Sequence, residues 1–184
     1  MSKDKEDSED YSYPNIEKEH LKNREIFIFD VIEEELSKRV VQQLLYLDDK
    51  SHDDITIWIN SPGGSVHDGF AIIDTMNKIK SNVTTIINGS ACSMAANISI
   101  NGDKRLITKH SVWMAHDMSG GIWGDYATKV LDRSKFIKIL QKQLLDNLSK
   151  NTKLTKKELE KSKNGELWLT PRQCKRKGIV DKVI

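Results

Sequence analysis

The chain has 184 residues, 38% of them hydrophobic and 30% charged, with a formal net charge of +2; this is the length of one domain with its own core, and too apolar for disorder throughout. Two cysteines, Cys92 and Cys174, are too few for a disulfide framework and lack metal-ligand spacing, so the expected compartment is reducing and cytoplasmic, and no metal or other cofactor is expected. No stretch is apolar enough to cross a bilayer, Ile55–Val66 being broken by Asn60, Ser61, Pro62 and two glycines, and the acidic opening MSKDKEDSED resembles neither a signal nor a transit peptide.

Residues 1–20 read as a flexible acidic segment, with the folded domain expected from residue 21 and no assignment for 13–23. Glu25–Phe29 is a short apolar strand. Glu33–Leu47 carries Leu36, Val40, Val41, Leu44, Leu45 and Leu47 at mixed three- and four-residue spacing, a helix with one buried face, and Asp48–Asp54 reads as a loop. A strand over Ile55–Ile59 runs into Asn60-Ser-Pro-Gly-Gly64 and a helix over Val66–Lys80. Val83–Ile87 is a strand ending at Asn88-Gly-Ser90, and the small, uncharged Ala91–Ile100 is a buried helix. Strands follow at Arg105–Thr108 and Ser111–Ala115, then a glycine-rich extended stretch, Met118–Gly124. Asp125–Asn151 is a long amphipathic helix with Val130, Phe136, Ile137, Leu140, Leu144 and Leu148 as its stripe. Thr155 and Glu158 form a capping box for a short helix, Pro171 opens another that ends at Gly178, and Ile179–Ile184 is a last strand. Recurring strand–turn–helix units make the fold α/β. Residues 1–100 balance at −8 and residues 101–184 at +10. The lysines of the basic half fall at helical spacing on a solvated face with no nucleic-acid motif, so no nucleic-acid partner is expected.

Two segments invite chemistry. In Ser61-Pro-Gly-Gly64, between strand and helix, Pro62 has no N–H, the glycines allow close backbone approach, and the free N–H groups that follow favour negative charge. In Gly89-Ser-Ala-Cys-Ser-Met-Ala95 a serine lies in the positive field of a helix start, among residues small enough to admit a substrate backbone. Each alone reads equally as an ordinary turn and a helix cap. A nucleophilic serine needs a base and an orienter. Among five histidines, His116 ends a strand beside a glycine loop, His67 follows the glycine turn, and His20, His52 and His110 sit in charged or loop contexts.

Taken together, Asn60-Ser-Pro-Gly-Gly64, Asp74-Thr-Met76, Gly89-Ser-Ala-Cys-Ser-Met94, Met114-Ala-His116 and Gly178-Ile-Val-Asp181 resemble, in order and spacing over residues 21–184, the proteolytic subunits of Clp proteases, the ClpP family. The resemblance implies a crotonase-like ββα spiral with a projecting strand–helix handle at about 118–151. It implies heptameric rings stacked in pairs as a 14-mer homo-oligomer, a chamber for polypeptide substrates, and an AAA+ unfoldase partner such as ClpX, ClpA or ClpC. By motif match, Ser93 is the nucleophile, His116 the general base, Gly64 and Met94 the oxyanion-hole donors, and Gly63, Ser65 and Val66 the lining of the substrate strand.

Departures from the pattern are equally specific. Aligning Trp168-Leu-Thr170 on the family's aromatic turn puts Glu166 where an Asp orients the histidine, with Asn164 as the fallback. Asp117 follows His116 in place of the usual Gln-Pro, a negative charge that would raise the base's pKa if close. The matching docking positions are Thr56, Trp58, Lys78, Ile86, Asn88, Leu106 and Thr108, four of them polar and costly to bury. The expected function is a Clp-type serine endopeptidase acting through an acyl-enzyme. A catalytically weak or inactive structural subunit of a mixed ring and an acyl-CoA enzyme of the same fold are the alternatives. Any ATP dependence would come from a partner, since no phosphate-binding loop motif is present.

Overall fold

The computed structural model of the protein describes residues 12–119 and 126–184. The acidic tail and the centre of the glycine-rich stretch, residues 1–11 and 120–125, lie outside the described residues.

A parallel sheet is built from β1 (Glu25–Ile28), β2 (Ile55–Ser61), β3 (Val83–Cys92), β4 (Lys104–Ile107) and β7 (Lys182–Val183), in the order β1-β2-β3-β4-β7. Side chains alternate across a strand, so the branched residues Ile26, Ile28, Ile55, Ile57, Ile59, Val83, Ile87 and Ile107 form one buried face. Each such buried side chain stabilises the fold by about 1.5–3 kcal/mol. Helices α2 (Glu34–Lys50) and α3 (Val66–Lys78) contribute Leu36, Val40, Leu44, Ile72, Ile73 and Met76 to the same core. Helix α4 (Met94–Ser99) is buried over its whole length.

The sheet forks at β3. Its first half pairs with β2 and β4. Beyond Gly89, at φ 118°, Ser90–Cys92 pairs with Val112–Met114 of β5 (Val112–His116) in place of β4, while Ala91 still pairs with Ser61 of β2. Strand β6 (Glu166–Leu169) runs antiparallel to β5. Helices α5 (Ala127–Asn151), α6 (Lys156–Asn164) and α7 (Pro171–Arg176) complete the α/β architecture. The described part of α5 buries Leu140 and Leu148 and half-buries Leu144, while Leu131, Phe136, Ile137 and Ile139 stay exposed.

Several boundaries differ from the sequence expectations. Residues 13–22 form a helix, α1 (Tyr13–Lys22), with Pro14 in its first turn, so the expected boundary at residue 20 falls inside a helix. Helix α2 runs through Asp48 to Lys50 because Asp48 is used tertiarily: its carboxylate accepts from the N–H groups of Lys80 and Ser81. Strand β3 continues to Cys92 and α4 starts at Met94, not Ala91, because pairing with β5 holds Ser90–Cys92 extended. The segment read as an aromatic turn at Trp168 is strand β6, and the last strand is shortened to two residues. The capping box of Thr155 and Glu158 is present as expected.

Candidate active site

The glycine turn is shaped by side chains on either side of it. Ser61 donates to the Asp30 carbonyl at 2.6 Å and accepts from the Gly63 N–H at 3.1 Å. Asn60 accepts from the Ser90 N–H at 3.0 Å, fastening this turn to the bend in β3. Gly63, at φ 97°, presses on the serine loop: a Cβ there would lie 2.6 Å from the Cys92 carbonyl oxygen and 2.7 Å from Ser93 Cβ. Gly64 bridges to Ile32, held by Ile32 N–H to Gly63 O at 2.8 Å and Ser65 N–H to Ile32 O at 2.7 Å. The Gly64 N–H itself donates to nothing among the described residues. Ser65 caps α3 by accepting from the Asp68 N–H.

Ser93 is one of two described non-glycine residues with positive φ, at φ 55° and ψ −118°. Such a conformation costs about 1–3 kcal/mol and persists only where its surroundings enforce it. Here the Ser93 N–H donates to the Met114 carbonyl at 2.8 Å, and the Ser93 carbonyl accepts from both the backbone and side-chain N–H groups of Asn97 at 3.3 Å. The strand-to-helix reversal leaves the Met94 N–H in the first turn of α4, where helix N–H groups have no intrahelical partner. Ser93, Met94, Gly64, Val66 and His116 line one cavity of about 50 Å³. The side chains of Ser93 and His116 make no hydrogen bond to each other among the described residues.

His116 ends β5, half-buried, directly opposite Glu166 in the antiparallel register with β6. Directly opposed residues share a face of the sheet. Consistent with this, the Cys92 thiol is pushed up first by burial and then by the charge of Glu166. The Glu166 carboxylate is nonetheless exposed and accepts from Trp168 Nε1 at 2.7 Å, not from the imidazole. Asn164, at the end of α6, donates to the Glu160 carbonyl and stands apart from this register. His67 is exposed and stacks on Phe136, with centroids 5.9 Å apart.

Ser93, His116, Gly64, Met94 and Val66 thus come together, Gly63 and Ser65 support them from behind, and Glu166 stands one strand away. Such a site suits acyl transfer: a hydroxyl on a strained turn, an imidazole, and two unengaged N–H groups for an oxyanion. Sequence reasoning did not identify Asn97 or Gln141 here. Asn97 lines the cavity and holds the serine carbonyl. Gln141 of α5 reaches Asp117, donating to both carboxylate oxygens at 2.7 and 2.6 Å. A lone amide carries no sequence signal, so only folding reveals either. Among the described residues no group of three His, Cys, Asp or Glu side chains is arranged to hold a metal, and no helix is long and apolar enough to cross a membrane.

The positions matched to a docking pocket are split. Thr56, Trp58, Ile86 and Leu106 are register neighbours on the sheet face opposite the core. Trp58 Nε1 donates to Glu25 at 3.0 Å, and Thr108 is bonded to Ser111 at 2.6 Å. Lys78 and Asn88 are exposed.

Comparison with known proteins identifies the family. The model of the Clp protease family matches residues 8–184. An ATP-dependent Clp protease proteolytic subunit of Chlorella vulgaris is 36% identical over 165 residues, covering 88% of this chain and 82% of that protein. A match along nearly the whole chain, with the serine turn and the histidine strand inside it, leaves one conclusion: this chain belongs to the Clp protease family.

Proposed function

We propose that the protein is a serine endopeptidase that hydrolyses unfolded polypeptides through an acyl-enzyme. The observation that carries this reading is the shared cavity of Ser93 and His116, flanked by the Gly64 and Met94 N–H groups, which donate to nothing among the described residues. Ser93 Oγ attacks the substrate carbonyl carbon while His116 takes the hydroxyl proton. The resulting oxyanion accepts from the Gly64 and Met94 N–H groups. The intermediate collapses, the C–N bond breaks, and His116 returns the proton to the departing amine. Water then repeats the sequence on the ester and releases the acid. Glu166, opposite His116 in register, serves as orienter once its carboxylate leaves Trp168 for the imidazole.

The rest of the reading follows the family. The chain forms heptameric rings stacked in pairs through the α5 handle, with substrate cut inside the chamber, and a Clp-type ATPase feeds it. The apolar residues exposed on α5 support self-association. The polar docking positions Thr56, Lys78, Asn88 and Thr108 support a partner loop of altered chemistry. A second reading, a weakly active structural subunit of a mixed ring, is favoured by one observation, the engagement of Glu166 by Trp168.

A fluorophosphonate probe tests the peptidase reading. One adduct in intact mass, absent from Ser93→Ala, is expected of the full chain at neutral pH. A folded, oligomeric protein that takes no adduct overturns it and favours the structural subunit.

A further inference from the structure

Asp117 has an unusual setting for a residue beside a reactive histidine. Asp117 lines the cavity that holds Ser93 and His116, and also the adjoining cavity toward α5 and α6. It is half-buried. Among the described residues, each hydrogen bond reaching its carboxylate comes from a neutral donor: the Met118 N–H at 2.7 Å, and Gln141 Nε2 at 2.7 and 2.6 Å. Lys163 lines the adjoining cavity without a bond to it. The carboxylate is therefore fixed in place and only partly hydrated, and among the described residues no cation is bonded to it. Two donors leave lone pairs on its oxygens for a further partner. The cavity it shares with Ser93 is more polar than apolar, with Asn97, His116 and Ser119 lining it beside the apolar Val66, Met118 and Leu144.

An anchored carboxylate in a cavity of mixed lining, with Val66, Met118 and Leu144 available to an alkyl stem, complements a side chain with a cationic head. We propose that Asp117 makes this a basic-residue subsite: the peptidase accepts Lys or Arg on the acyl side of the scissile bond, and Gln141 holds the carboxylate toward it. This rests on the peptidase reading and goes beyond it by naming the substrate class. Discrimination follows because a half-buried, anchored carboxylate favours the substrate that supplies its cationic partner over an analogue that leaves it unpartnered. A charged pair between substrate and site is also shorter and stronger than a neutral hydrogen bond.

The test uses the full chain and one peptide sequence varied at that position as Lys, norleucine or Glu, with kcat/KM measured alongside fluorophosphonate labelling of Ser93. A Lys-to-norleucine ratio of at least about tenfold is expected, with Glu the poorest; tenfold is about 1.4 kcal/mol. Asp117→Asn, which keeps shape and removes charge, is expected to lower that ratio about tenfold. If this variant does not assemble, Gln141→Met carries the test, with the ratio expected to fall about threefold as the carboxylate loses its anchor. A wild-type ratio near or below one overturns the proposal, as does a ratio that neither variant changes. Labelling at Ser93 without preference for Lys overturns the subsite alone, whereas no labelling and no cleavage removes the peptidase reading and the subsite with it.

Discussion

At the scale of single residues, the site depends on positions where the backbone is forced. Ser93 at φ 55° is tolerated because Met114 and Asn97 hold its N–H and its carbonyl. Gly63 at φ 97° leaves no room for a methyl group against Cys92 and Ser93. The weakest element of the proposed triad is Glu166, whose extra methylene lets it reach Trp168 instead of His116. Glu166→Gln is expected to lower kcat about tenfold or more, because an amide cannot charge-stabilise the imidazolium. Trp168→Phe removes the competing donor and is expected to leave kcat undiminished or to raise it. Steady-state peptide hydrolysis by the two variants decides the matter: equal losses in both would make Glu166 a structural residue.

At the scale of elements, α6 shows how one carboxylate joins two parts of the chain. Glu158 closes the capping box with Thr155 and pairs with Lys177, just beyond α7, at 2.7 Å, both side chains less than a third exposed. The Lys177 ammonium and the Thr155 N–H pull its carboxyl from the ordinary 4.5 down to about 2. A folded-state pKa below the unfolded one makes this contribution full above about 4.5 and lost as pH falls toward 2. Glu158→Gln keeps the cap and removes the charge. It is expected to cost about 0.5–1 kcal/mol at pH 7 and nearly nothing at pH 2. Urea unfolding across that range checks this, and a pH-independent difference would contradict it.

At the scale of the whole molecule, α5 does not complete its own core. Its C-terminal half packs through Leu140 and Leu148, whereas Leu131, Phe136 and Ile139 remain 62%, 48% and 54% exposed. An exposed apolar face of this kind on a long helix marks a candidate interaction surface. Phe136→Asp is expected to shift the chain to smaller species in sedimentation velocity, since a carboxylate cannot be buried there unpaired. An unchanged distribution would count against the proposed self-association through α5.

Much of this molecule is legible in its residues. Alternating isoleucines define the strands and their buried face, the proline and glycines mark turns, and Thr155 with Glu158 marks a helix start; these signals are local, set by side-chain period and backbone sterics. The motifs around Gly64, Ser93 and His116 stand out for the same reason, as small or special residues at strand ends. What residues alone did not settle is non-local. Pairing with β5 keeps β3 extended to Cys92 and drives Ser93 into its strained turn. The β5–β6 register sets Glu166 opposite His116, yet side-chain geometry gives its carboxylate to Trp168. Asp117 gains its setting only when α5 brings Gln141 from 24 residues away. Such contacts depend on where distant elements pack, and no spacing along the chain encodes that.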